Sequence, residues 1–155
     1  MTSNASHARI AVVVSQYNAF VTDRLRDGAL AALSQAGVAA DRVEVLPVPG
    51  AYEIAQAARR AAATGRFDAV VCLGCVIRGE TAHFEYIASA AAHGIMQASA
   101  DTGVPMSFGV LTTDSVEQAL ARAAVGPDGK GWEAATAAVE MAGLFRQFDR
   151  VESKG

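Results

Sequence analysis

The residues best suited to chemistry sit in short polar stretches that follow apolar runs. The densest is Val76-Ile77-Arg78-Gly79-Glu80-Thr81-Ala82-His83-Phe84-Glu85. Gly79 lets a backbone approach a ligand closely. Thr81 is placed to cap a following helix, whose free N–H groups and dipole would form an anion site. His83 then falls one turn inside that helix, beside a phosphate-sized space, and histidine exchanges protons near neutral pH. The competing reading is structural: every helix has an N-terminus, and a single helical histidine is commonly packed or solvated. A second stretch, Val48-Pro49-Gly50-Ala51-Tyr52-Glu53, puts Glu53 in a first helical turn. The dipole favours a carboxylate there for structural reasons, and a polyol could donate hydrogen bonds to it. In a third, Ser15-Gln16-Tyr17-Asn18, Tyr17 is either a platform for a flat ring or a half-buried loop aromatic, and Asn18 reads as a helix N-cap. Arg122 and Lys130 flank the loop Gly126-Pro127-Asp128-Gly129. Such cations are ordinarily solvated, and they matter only if that loop folds toward an anion.

The two cysteines, Cys72 and Cys75, form a C-x-x-C within Val70-Val71-Cys72-Leu73-Gly74-Cys75-Val76. That spacing invites a redox or metal reading. The run reads as a buried strand, however, and strand residues three apart point to opposite faces. Small buried side chains are the favoured reading, with redox or zinc chemistry the alternative. There is no Walker A sequence, no G-x-G-x-x-G after the first apolar run, no H-E-x-x-H and no G-x-S-x-G. Nucleotide, dinucleotide, zinc-protease and serine-hydrolase readings are thereby disfavoured.

The elements that must position these residues alternate regularly. Strand-like runs cover 9–15, 42–48, 69–73 and 106–111. Helical patterns cover about 19–36, 51–64, 81–101 and 130–147, and Asp114-Ser115-Val116-Glu117 resembles a capping box opening a further short helix. Gly37, Gly65 and Gly103 follow helices as C′ glycines do. Strand–helix alternation with short connections means a parallel sheet with right-handed crossovers. Continuous apolar strands must be covered on both faces. The expected fold is α/β: a flavodoxin-like three-layer α/β/α sandwich on a four-stranded parallel sheet. Ligands in such sheets bind outside the carboxyl ends of the strands, which singles out Ser15–Phe20, Pro47–Glu53, Gly74–Phe84 and Leu111–Asp114.

Length and composition agree with one such domain. The chain has 155 residues, 52% hydrophobic and 19% charged, with a mean hydropathy of +0.22. That excludes a disordered chain. Residues 1–8 read as a flexible leader, 9–150 as the domain and 151–155 as a tail. The net charge of −3 and the lack of a Lys/Arg run argue against nucleic acid. No stretch approaches the ~20 apolar residues of a membrane span, and the start lacks the pattern of a signal peptide. A cytoplasmic protein is expected. With 34 alanines and few charges, the chain has little polar material to cover a lone sphere, a hint of subunit contacts for which Ala-rich helices are the alternative account.

Five blocks taken together resemble the 6,7-dimethyl-8-ribityllumazine synthase family. They are Ser15–Asn18, Val48–Glu53, Leu73–Tyr86, Phe108-Gly109-Val110-Leu111-Thr112-Thr113 and Lys130-Gly131-Trp132-Glu133-Ala134-Ala135. The similarity runs from about Arg9 to Phe148, and the G-x-V-I-R-G-x-T-x-H-F block is its most specific part. The resemblance implies a transferase acting in the penultimate step of riboflavin biosynthesis. Its small-molecule substrates are 5-amino-6-(D-ribitylamino)uracil and 3,4-dihydroxy-2-butanone 4-phosphate, and no metal or organic cofactor is expected. The resemblance also implies site roles. Tyr17 would stack on the pyrimidine, with Asn18, Cys75, Val76 and Ile77 lining the ring pocket largely through backbone groups. Ala51, Tyr52 and Glu53 would hold the ribityl chain. Gly79, Glu80 and Thr81 would offer N–H groups to the phosphate, with Arg122 as charge partner and Lys130 nearby. His83 would transfer protons, and Phe108 would close the site from an adjacent subunit. A homopentamer is implied. The compact Arg122–Lys130 connection resembles that of members that form a 60-subunit icosahedral capsid. Two departures stand out: Glu80 brings a carboxylate to the expected phosphate loop, and Val125–Gly129 differs from the family's usual wording. Rival readings are a module that sequesters flavins or lumazines without turnover, and a protein whose main job is the shell.

Overall fold

A computed structural model describes residues 5–154. The four apolar runs form strands β1 (Ile10–Ser15), β2 (Val43–Val48), β3 (Ala69–Ile77) and β4 (Met106–Thr113). Five α-helices connect or follow them: α1 (Ala19–Gln35), α2 (Ile54–Ala63), α3 (Phe84–Thr102), α4 (Val116–Arg122) and α5 (Lys130–Lys154). Every strand pair is parallel and the order is β2-β1-β3-β4. The expected α/β/α sandwich is therefore present. The chain reverses its direction of winding between β1 and β3, which is the topological switch point of flavodoxin-like sheets.

Period-two alternation sorts the core. Ile10, Val12, Val14, Val71, Leu73 and Cys75 cluster with buried residues of α1 and α5. Ala11, Val13, Val70, Cys72 and Val76 cluster with residues of α2 and α3 on the opposite face. Each fully buried Val, Leu or Ile contributes roughly 1.5–3 kcal/mol of transfer free energy. Close approach of α1 and α5 requires Gly131, where a Cβ would collide with the Leu25 carbonyl.

Several boundaries differ from the sequence expectation. β3 continues past Gly74 to Ile77 because its last four residues pair with Val110–Thr113 of β4. β1 makes its last pair with β3 at Val14↔Leu73, so beyond that point one edge of β3 is open. α5 continues beyond Gln147 because no glycine or proline intervenes before Gly155. The box opening α4 is Ser115 with Gln118, not Asp114 with Glu117: Ser115 Oγ accepts from Gln118 N at 3.1 Å and Gln118 Oε1 from Asp114 N at 2.8 Å. Of the leader, residues 1–4 lie outside the described residues, while Ala5–His7 form a 3-10 turn and Ala5 and Ala8 are buried. Gly155 of the tail also lies outside them, and α5 runs through Lys154. Among the described residues, no helix is long and apolar enough to cross a membrane.

Candidate active site

Three loops meet at the carboxyl ends of β1, β2 and β3. After β1, Tyr17 donates its N–H to Ser15 Oγ at 3.2 Å and leaves its ring half exposed, at 52%. Asn18 takes a left-handed backbone with φ 63°. Its carbonyl accepts from Val21 and Thr22 and so opens α1. Its side chain does not cap the helix, contrary to the sequence reading. Instead Asn18 Nδ2 donates to the Cys75 carbonyl at 3.1 Å and to Glu80 Oε1 at 2.9 Å. The Cys75 carbonyl lies on the stretch of β3 that β1 no longer covers, so the amide satisfies an acceptor the sheet leaves open.

After β2, Ala51–Glu53 form one 3-10 turn leading into α2. Glu53 is half buried, with Oε1 beside Gly50 at 3.1 Å from where a Cβ would stand. Its carboxylate accepts no hydrogen bond among the described residues, so both oxygens are available to an incoming hydroxyl. Tyr52 is exposed and Ala51 buried. Tyr17, Gly50–Glu53, Cys75–Ile77, Glu80, Thr81 and Ile87 together line a cavity of about 300 Å³. The structure thus brings ten of the fifteen expected site residues to one space: Tyr17, Ala51, Tyr52, Glu53, Cys75, Val76, Ile77, Glu80 and Thr81 line it, and Asn18 bonds its wall.

The β3–α3 loop bounds a second hollow of about 420 Å³, formed by Arg78, Gly79 and Thr81–Tyr86. Gly79 has φ 92°, a conformation that favours glycine. Thr81 Oγ1 accepts from His83 N at 3.1 Å, so the threonine does cap, but it closes a short turn rather than the helix. α3 opens at Phe84, which corrects the expected start at Thr81. His83 therefore stands at the N-cap position, at the mouth of the helix rather than one turn inside it. Of the three N–H groups expected to face an anion, that of Glu80 turns back to the Ile77 carbonyl at 3.3 Å. Those of Gly79 and Thr81 have no partner among the described residues.

Arg78 carries a positioning role that the sequence reading missed, because its partners lie in a distant loop. Its N–H bonds the Thr113 carbonyl at 2.8 Å and its Nε bonds Asp114 Oδ1 at 2.8 Å. The guanidinium also lies 3.6 Å from Glu85 and 4.8 Å from the Phe84 ring centroid. These contacts tie the loop to the end of β4.

Three expected site residues are not brought to either space within one chain. Phe108 lies on the outer strand β4, 39% exposed, beside Met96 of α3 and Met141 of α5. Arg122 is exposed in the last turn of α4, with no ion partner among the described residues. Lys130 begins α5 and pairs with Glu133 at 3.1 Å.

The cysteines have no shared chemistry. Cys72 faces the α2/α3 core and Cys75 the α1/α5 core, both free and buried. Burial pushes both thiols up to about 12, with the Glu80 charge adding to the rise at Cys75. Among the described residues no three His, Cys, Asp or Glu side chains are grouped to hold a metal.

Comparison with known proteins converges on one family. Residues 7–146 match the family model described as 6,7-dimethyl-8-ribityllumazine synthase. A protein of that name from Syntrophus aciditrophicus (strain SB) is 49% identical over 144 residues, 93% of this chain and 94% of that protein. One from Desulfatibacillum aliphaticivorans is 46% identical over 147 residues, 95% of each chain.

Proposed function

We infer the activity of this chain from one premise: it belongs to the 6,7-dimethyl-8-ribityllumazine synthase family. It is a transferase of riboflavin biosynthesis. It condenses 5-amino-6-(D-ribitylamino)uracil with 3,4-dihydroxy-2-butanone 4-phosphate to give 6,7-dimethyl-8-ribityllumazine, phosphate and water. The observation that carries the reading to this site is the pairing of a ring-sized cavity with a glycine-turned loop bearing His83, at the switch point of the sheet.

The roles of individual residues follow from what each presents. Tyr17 stacks on the pyrimidine, and the backbone of Cys75, Val76 and Ile77 reads its edge. Ala51 and Tyr52 shape the channel for the ribityl chain, and the Glu53 carboxylate accepts from its hydroxyls. The free N–H groups of Gly79 and Thr81 take the phosphate. The amine nitrogen adds to the ketone carbon and water leaves, giving an imine. Loss of a C–H proton then expels phosphate, and the ribitylamino nitrogen closes the ring with loss of a second water. His83, within the same hollow as Thr81, moves these protons. The C–H pair left by the proton forms the new double bond as phosphate departs with the C–O pair, so the sequence is redox-neutral and needs no redox cofactor. Holding two reactants together can supply several kcal/mol of the barrier reduction, and proton transfer about 10²–10⁴-fold more.

Phe108, Arg122 and Lys130 complete the site of a neighbouring copy. This supports a homopentamer built by a head-to-tail interface, with a 60-subunit shell favoured as its further assembly. Mixing the two substrates with the protein tests the activity, read as lumazine absorbance and fluorescence with release of phosphate. Absence of product overturns it, and binding without product favours a sequestering module. Light scattering tests the assembly: nothing above five subunits excludes the shell, and an active monomer excludes the shared site.

A further inference from the structure

The Gly79–Thr81 loop divides two spaces, and the Glu80 side chain belongs to only one. Glu80 lines the cavity with Tyr17 and Tyr52 and is not part of the hollow that holds His83. It is anchored there by Asn18 Nδ2, 2.9 Å from Glu80 Oε1. The same nitrogen bonds the Cys75 carbonyl, and both partners are acceptors, which fixes the orientation of the amide. The Asn18 backbone is in turn fixed by its left-handed turn into α1.

The second carboxylate oxygen of Glu80 has no partner among the described residues. Among the described residues no cation pairs with it: Arg78 is directed to Asp114 and Glu85, and Lys130 to Glu133. A carboxylate with one oxygen anchored and one free accepts N–H donors and repels anions. Its charge reaches into the cavity wall, where it adds to the raised pKa of the buried Cys75 thiol.

Resting on the activity above, we propose that Glu80 Oε2 accepts an N–H from the amino-bearing edge of the pyrimidine substrate. The Asn18–Glu80 pair is then a specificity determinant. It draws the amine into the cavity and confines the phosphate to the other side of the loop. A carboxylate that would be adverse at a phosphate site is, in this orientation, what keeps the phosphate group clear of the amine's pocket while the ketone carbon still reaches the amine.

Equilibrium titration of each ligand alone tests this. The probes are 5-amino-6-(D-ribitylamino)uracil and inorganic phosphate, against the parent protein, Glu80→Gln, Asn18→Ala and the double variant. Glutamine preserves the acceptor for Asn18 but removes the charge. A charge-assisted bond is about twice as strong as a neutral one, so Glu80→Gln should weaken the amine about tenfold. Phosphate should bind as before or more tightly. Asn18→Ala should weaken the amine in the same direction, and the double variant should be no weaker than the worse single one. An unchanged amine with tighter phosphate would mean that Glu80 faces the anion. Equal weakening of both ligands would mean that it acts on the fold, and additive losses would mean that the pair is not a unit; each overturns the proposal. If the parent makes no lumazine, the activity falls, while the titrations still decide the role of Glu80.

Discussion

Replacing Gly79 with alanine isolates backbone conformation from packing. Gly79 has φ +92°, and a Cβ built there meets nothing within 4 Å. The substitution causes no collision; its whole cost is the left-handed backbone, about 1–2 kcal/mol for an L residue. The loop can hold its shape and pass that cost to global stability, or it can relax. The restraints on it decide which. The Arg78 pairs with Asp114 and Glu85 involve side chains more than half exposed. Exposed pairs of this kind contribute about 0–1 kcal/mol each. Together the two pairs supply about 0–2 kcal/mol, at most as much as the strain, so the loop is expected to relax and carry the Gly79 and Thr81 N–H groups out of register. A loss of 1–2 kcal/mol corresponds to about 5–30-fold in affinity. The KM for 3,4-dihydroxy-2-butanone 4-phosphate should rise by about that factor, with a smaller change for the pyrimidine and an unfolding midpoint close to the parent's. Steady-state kinetics varying each substrate, with a denaturant melt beside them, reads all three. Unchanged KM values with an unchanged unfolding midpoint would refute the assignment of these N–H groups to the phosphate. A stability loss of about 1–2 kcal/mol with unchanged kinetics would show that the loop is stiffer than its ion pairs imply.

Three further outcomes are expected. His83→Ala should slow turnover by about 10²–10⁴-fold without abolishing it, because substrate alignment survives; turnover at the parental rate would remove His83 from the mechanism. Arg122→Ala should weaken the butanone phosphate far more than the pyrimidine amine, as loss of a charge-assisted phosphate contact does, and equal weakening would assign Arg122 to fold or assembly. Burial raises Cys72 and Cys75 from 9.0 to about 12, so the neutral thiols favour the native state. The sign of the linkage puts that stability in full below pH 9 and removes it as pH rises toward 12. Native protein at pH 8 should resist alkylation at both positions, and Cys72→Ala should flatten the alkaline decline of the unfolding midpoint; rapid labelling of both thiols without denaturant would contradict the burial argument.

The strands and the layer architecture are legible in the sequence because apolar runs of this length, alternating with helical patterns, have one economical arrangement. What escaped local reading had a partner far along the chain. Gly74 resembles the end of a strand, yet pairing with Val110 carries β3 onward. Asn18 has the chemistry of an N-cap, but a carbonyl 57 residues away and a carboxylate 62 residues away claim its amide. Thr81 has cap chemistry too and uses it, three residues before the helix begins, which moves His83 to the helix mouth. Arg78 looked like one letter of a motif because Asp114 lies 36 residues on. The membership of the cavity was legible for the opposite reason: apart from Ile87 of α3, its lining comes from residues that closely follow, or end, three adjacent strands.

The same sheet geometry explains why Phe108, Arg122 and Lys130 stand apart. The strand order puts the cavity over the ends of β2, β1 and β3, while β4 is the outer strand on the other side of β3. Phe108 pairs in register with Cys72, three residues before the Cys75 carbonyl that Asn18 takes. At about 3.3 Å per residue, its backbone is about 10 Å below the level of the cavity. Phe108, 39% exposed, adjoins the exposed Met96 and Met141, and a contiguous apolar patch of this kind marks an interaction surface. A fold with its active loops on one side of β3 and these three residues on the other has two incomplete surfaces. A head-to-tail ring joins one such surface to the other at every interface and leaves neither open. A twofold dimer, which sets like patches against each other, could join them only if both lay within one self-complementary patch. On the roles proposed for these three residues, a cyclic arrangement would complete the catalytic site as well as cover both surfaces.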